Sequence, residues 1–171
     1  MRLAMEFGLA PANAAPSPQL KTNVSQFLDE MDAYQNAYRG KVFGPGMESL
    51  AASASETEQI RASVKQIQQA LDILIKAGRL RVNDSSGRPL TGLSSSGSFY
   101  KQNTSGQIER DPSGNPVMDD AFVSAITRFK QEQGIHQNYK LADGTWAINE
   151  YVGPGTIEAL KKTLLEVQAT R

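Results

Sequence analysis

Between Asp119 and Leu165 the chain carries a helix stop, a turn and a helix start in fixed order. An apolar-periodic run, DDAFVSAITRFKQEQ, ends at Gly134-Ile135. Asp143-Gly144 follows, and Val152-Gly153-Pro154-Gly155-Thr156 opens a second periodic run, TIEALKKTLL. Gly134 and Gly144 permit the positive φ that a chain reversal demands. Pro154 fixes the approach to the last helix. Thr156 is expected as its N-cap, its hydroxyl accepting from a first-turn N–H. The spacing predicts helices over 119–134 and 156–168, the first capped by Asp119 or Asp120. Phe122, Val123, Ile126 and Phe129 share one face of the first. Ile157, Leu160, Leu164 and Val167 share one face of the second, so Phe129 and Leu160 are expected to meet in a core.

Two further helices are expected upstream. Over 23–39, Val24, Phe27, Leu28, Met31 and Tyr38 recur at helical spacing, with Asn23 as N-cap and Gly40 as stop. Over 56–78, Val64, Ile67, Leu71, Leu74 and Ile75 form the stripe, Ser55-Glu56-Thr57-Glu58 reads as a capping box, and Gly78 ends the run. Met47 to Ala54 also reads as helical. Residues 81–118 change character to Ser, Gly, Asn, Asp and Pro. Strand-like pieces at 98–102 and 107–110 flank Asn103-Thr104-Ser105-Gly106, a hairpin-turn tetrad, and Asp111-Pro112-Ser113-Gly114-Asn115-Pro116 is a further turn cluster. A stretch this long without a helix reads as a functional or interaction loop. One internal echo stands out: Phe43-Gly44-Pro45-Gly46 matches Val152-Gly153-Pro154-Gly155. It is either a duplication or convergent turn chemistry.

Composition removes several classes. The formal net charge is zero, with no dense Lys/Arg block, which argues against nucleic acid as a partner. There are no cysteines, so disulfides, thiolate metal sites and cysteine nucleophiles are excluded. No apolar run reaches the roughly 20 residues of a membrane span. Met1 to Pro16 imitates a signal peptide only loosely, because Glu6 and Gly8 interrupt its apolar stretch.

The punctuation of 60–165 resembles the peptidoglycan-binding domain family, the small three-helix module of cell-wall hydrolases and phage lysins. The matching segments are Val64-Lys65-Gln66-Ile67-Gln68-Gln69-Ala70-Leu71 with Gly78-Arg79-Leu80, then Ala125-Ile126-Thr127-Arg128-Phe129-Lys130 with Gly134-Ile135, then Asp143-Gly144 and Val152-Gly153-Pro154-Gly155-Thr156 with Ala159-Leu160. Phe129, Gly134, Asp143, Gly144, Gly153, Pro154, Thr156 and Leu160 are the fold-defining positions. Lys130 departs from the pattern, where the family has Gln. Residues 81–118 replace a short Asp-Gly turn, and 145–151 are inserted before Gly153. Both insertions are expected to spare the core. The resemblance implies a mainly α fold: a small three-helix peptidoglycan-binding-like bundle with an N-terminal helix and arm and a loop or β-hairpin insertion. The corresponding division is an arm at 1–22, a helix and linker at 23–55, and the module at 56–168 with its insertion at 81–118.

Catalytic constellations are sparse. His136 is the only histidine and reads as a surface loop residue. Ser98-Phe99-Tyr100-Lys101 matches Ser-x-x-Lys without the partner motifs of serine acyl-enzymes. Asp119-Asp120 reads as cap and dipole partner rather than a catalytic pair. The expectation is no enzyme, no cofactor and no metal. Trp146, Tyr151, Asn149 and Tyr139 are the candidate ligand residues, since aromatic faces beside amides suit sugar rings and amidated peptide stems. Trp146 closing the core under its loop is the competing reading. The expected partners are peptidoglycan and other subunits of a larger assembly. The assembly contact is expected through the arm, whose Leu3, Met5, Phe7 and Leu9 pack on a neighbour or on the arm's own domain. The expected setting is a phage tail or baseplate, a similar injection machine, or the bacterial cell envelope.

Overall fold

The computed structural model describes residues 26–29, 43–45, 53–136, 140–145 and 149–170. It is mainly helical. Three long helices carry the core: α1 (Ala54–Lys76), α2 (Asp120–Gln133) and α3 (Pro154–Thr170). A helical turn at 26–29 buries Phe27 in the same core. The expected first helix otherwise lies outside the described residues, as does the arm at 1–22.

The α1 sequence buries Ile60, Val64, Ile67, Leu71 and Leu74, alternating steps of four and three residues. α3 answers with Ile157, Leu160, Leu164 and Val167 at the same rhythm. Stripes of this period on both helices let them pack lengthwise, and α3 lies mainly against α1. α2 contributes Phe122, Ala125, Ile126 and Phe129 to the same cluster. Each fully buried Leu, Ile or Phe contributes about 1.5–3 kcal/mol. Phe129 and Leu160 both belong to this cluster, at 2% and 1% exposed.

Helix ends follow local chemistry, with two corrections. Ser53 caps α1, its Oγ accepting from Glu56 N at 3.1 Å. The Ser-x-x-Glu spacing is thus used as Ser53–Glu56 rather than Ser55–Glu58, because Ser53 holds the extended backbone a cap requires. α3 begins at Pro154, not at a Thr156 cap. Pro154 lacks an N–H and costs nothing at the first helical position, and Ile157 N already bonds Gly153 O at 3.1 Å. Thr156 lies inside the first turn and is buried. Asp119 caps α2 through Phe122 N, and Gly134 ends it in the left-handed region at φ 72°.

Residues 81–118 do not spare the core, contrary to expectation. Val82, Ser98 and Phe99 are buried, and the Phe99 ring lies 4.8 Å from that of Phe122. The segment is built from one unit used repeatedly. Asp84, Asn103 and Asp111 each accept through Oδ1 from the backbone N–H groups two and four residues on, at 2.9–3.0 Å. Gly87, Gly106 and Gly114 close the three turns at φ 87°, 80° and 85°. A Cβ at these angles would be strained, so each turn requires its glycine. Isolated antiparallel bridges Asn83–Pro89, Gln102–Ile108 and Arg110–Pro116 flank the turns.

The last two turns stand eight residues apart in sequence, and their flanks join in a ring. Lys101 N donates to Val117 O, Val117 N to Glu109 O, and Glu109 N to Lys101 O, at 2.8–3.0 Å. Asp119, eight residues after Asp111, occupies the same register and turns the chain into α2 instead.

A further bridge joins two residues far apart in sequence. Phe43 N donates to Val152 O at 2.8 Å and Val152 N to Phe43 O at 2.7 Å. The two halves of the sequence echo therefore face each other at corresponding residues.

Two outcomes test this packing. Phe129→Ala is expected to lower unfolding free energy by about 3–5 kcal/mol, from lost contacts plus a cavity. A loss under about 1 kcal/mol in denaturant unfolding would remove Phe129 from the core. Replacing 81–118 by a tight turn is expected to abolish cooperative unfolding, since it strips Val82 and Phe99 from the core. A deletion variant retaining a sharp thermal transition would contradict that.

Candidate functional site

The buried side chain that organises the C-terminal loop is Lys130, on the core side of α2 and 5% exposed. Its Nζ donates to Asn149 Oδ1 at 2.9 Å, Asn149 O at 3.1 Å and Tyr151 O at 2.8 Å. Three acceptors match the three donors of an ammonium. Burial pushes the amine's pKa below the ordinary lysine value, and the nearby Glu150 carboxylate opposes that shift. Asn149 Oδ1 also accepts from Tyr151 N at 3.1 Å. The 149–151 backbone is thereby wrapped around one cation.

This assigns different roles to the sequence candidates. Asn149 turns its carbonyl oxygen inward, so it positions the loop rather than offering that atom to a ligand. Tyr151 sends its backbone carbonyl to Lys130, while the residue as a whole stays 39% exposed. Its ring lies against the backbone of Gly44, where an added Cβ would sit 2.5 Å from the ring. The result is an aromatic ring held against Gly44 in a residue that remains exposed. Trp146 and Tyr139 lie outside the described residues.

The Asp143-Gly144 turn supports the same loop. Leu141 N donates to Thr145 O, and Gly144 N to Leu141 O. Asp143 Oδ1 accepts from Thr145 Oγ1 at 2.6 Å and Thr145 N at 3.0 Å. That hydroxyl, followed by the amide, holds the Asp143 carboxyl below the usual carboxylate range. Leu141 beside this turn is 48% exposed.

The other motifs take structural positions. Ser98 is buried and its Oγ accepts from Tyr100 N at 3.0 Å, while Lys101 is exposed. His136 is exposed in the loop after α2. Among the described residues no three His, Asp or Glu side chains are grouped to hold a metal ion.

Sequence reasoning missed the anchors. Lys130 was visible only as a departure from a family pattern, yet it interrupts the apolar stripe of α2. A lysine there implies acceptors within reach of its amine. Gln68, 0% exposed on α1, does the same work one loop earlier. Its Nε2 donates to Ser98 O at 3.2 Å and Ser96 Oγ at 3.3 Å, and its Oε1 accepts from Gly97 N at 2.8 Å. Asp72 Oδ1 accepts from Leu93 N at 2.8 Å.

Comparison with family models, with curated proteins and with solved structures returned no match to this chain.

Lys130→Met should cost about 2 kcal/mol, because carbonyl acceptors lose a charged donor. Lys130→Gln, which retains an amide donor, should cost less. The lysine's folded pKa lies below its unfolded one, so the unfolded state binds more protons between the two. Wild-type stability relative to Lys130→Gln should therefore rise as pH increases through that alkaline interval. Urea unfolding of the three proteins across pH 7 to about 10 checks both points.

Proposed function

We propose that this chain is a non-catalytic module of the peptidoglycan-binding type. It has a three-helix bundle, an N-terminal helix and arm and a hairpin-bearing insertion, and works as a structural component of a phage tail, baseplate or similar injection machine. The observation that carries the reading is the arrangement around Lys130. The helix bearing Phe129, the left-handed Gly134, the Asp143-Gly144 turn and the Gly153-Pro154 helix start follow in the family's order, and Lys130 ties the first of them to residues 149–151 just before the last. The loop so tied leaves Tyr151 exposed. An amphipathic ring held on a rigid loop suits a sugar face or the amidated peptide stem of a wall polymer. Trp146 and Tyr139 are proposed as further ligand residues.

A second reading, the same fold used only for protein contacts within an assembly, is favoured by one feature. Residues 101–116 are exposed without interruption, yet they are rigidified by two Asx turns and the bond ring. A stiff projecting segment is suited to seating against another subunit. A free-standing wall-binding protein of the bacterial envelope is the alternative setting for the first reading.

Sedimentation with purified sacculi tests the wall reading. Wild type should pellet with the wall and Tyr151→Ala should pellet several-fold less. Wild type remaining in the supernatant, together with a native mass above that of one chain, would favour the assembly reading instead.

A further inference from the structure

A second recessed surface lies away from Tyr151. A groove of about 760 Å³ runs between the end of α1, residues 78–83 and the outer side of α2. Its apolar lining comes from Ile75, Leu80, Val82, Pro89 and Leu90, and its polar lining includes Arg81, Asn83 and Arg128. The volume falls within the range of ordinary ligand pockets.

Two independent features point to one kind of occupant. The first is charge. Both ionisable side chains lining the groove are arginines, and no carboxylate lines it. Arg81 makes no ion pair among the described residues, and Arg128 pairs through Nε with Glu132 on its own helix at 3.1 Å. The end of α1 adds little opposing negative potential. The carbonyls of Ile73, Leu74 and Ile75 already accept from Ala77, Arg79 and Gly78 at 2.9–3.1 Å.

The second feature is an open backbone edge. Leu90 N bonds Val82 O and Asp84 N bonds Arg88 O, so Val82 and Asp84 face the returning segment. In extended chain, alternate residues point their N–H and C=O to opposite edges. Arg81 and Asn83 therefore direct theirs away from that segment. Among the described residues these groups make no hydrogen bond. An extended edge with free donors and acceptors is a template for an added strand.

We propose that this groove and edge bind an extended acidic segment of a partner protein. The partner's main chain pairs with Arg81 and Asn83, and its carboxylates pair with Arg81 and Arg128. Arginine suits this role because its planar fork matches a carboxylate. Nucleic acid is a poorer fit, since two cations neutralise too few phosphates. The proposal is independent of wall binding at Tyr151.

Fluorescence anisotropy on the full chain tests it with a labelled, end-blocked peptide alternating valine and glutamate. Its counterparts are a valine–lysine peptide and a valine–glutamate peptide N-methylated at alternate residues. The glutamate peptide should bind at least about tenfold tighter than either, the scale of one charge-assisted contact. Arg81→Glu/Arg128→Glu should reverse the preference toward the lysine peptide, an outcome an unfolded variant could not give. Equal binding of the glutamate and lysine peptides, full binding of the N-methylated one, or an unchanged preference in the double variant would each overturn the proposal.

Discussion

Everything in this fold depends on finding partners for backbone amides where no sheet supplies them. A buried N–H or C=O left unpaired costs about 1–3 kcal/mol, and residues 77–119 run a long way without a helix. The chain meets this demand at two ranges. Locally, Asp84, Asn103 and Asp111 bond the amides of their own turns. At long range, Gln68, Asp72 and Lys130 reach from helices to the loops that follow them. Gln68 and Asp72 share one side of α1, apart from the apolar stripe that meets α3. The 92–98 strap lies close over that side: a Cβ on Gly97 would sit 3.1 Å from Arg61 O, and one on Gly92 would sit 2.8 Å from Asp72 Oδ1. At Gly97, which also holds φ 81°, glycine is required because backbone lies against helix.

The helices were legible because burial writes its period into sequence. α1, α2 and α3 fall within a few residues of expectation, and the differences lie at the caps. Capping is a competition among nearby polar residues, decided by which one adopts extended backbone. Ser53 prevailed over Ser55 on that ground. At α3 the proline displaced the threonine, because a first helical residue without an N–H leaves nothing unsatisfied. The turn tetrad at Asn103 was readable from its Asx and glycine. Its tie to the other turns was not. The ring joining Lys101, Glu109 and Val117 uses backbone atoms alone, so nothing in the side chains announces it. Only the eight-residue recurrence of Asn103, Asp111 and Asp119 carries that signal.

The site was half legible for a related reason. Tyr151 stands out in sequence as an aromatic in a loop, and the structure leaves the residue exposed. Asn149 was expected beside it as a ligand group, yet its oxygen is taken up by Lys130 Nζ and Tyr151 N. An amide near an aromatic in sequence can serve the ligand or the loop. The choice depends on a cation from another helix, nineteen residues away. A buried ammonium is costly unless its donors are satisfied, and the loop's carbonyls satisfy them. Lys130 thus trades desolvation for a loop geometry that a neutral, shorter glutamine would hold by fewer contacts.

The reciprocal bonds between Phe43 and Val152 carry this logic to the start of the chain. Both residues are buried, at 2% and 0% exposed, and each is followed by Gly-Pro-Gly. Two antiparallel residues exchanging both hydrogen bonds lie across a local two-fold axis. The pairing brings the two Gly-Pro-Gly turns to the same place, and both duplication and convergent turn chemistry account for their likeness. The bridge also places Gly44 against the Tyr151 ring, where any larger residue would displace it. Tyr151 is therefore set from two places in the chain: Lys130 fixes its backbone and Gly44 lies against its ring. A ligand at Tyr151 would sense the seating of the 43–45 segment.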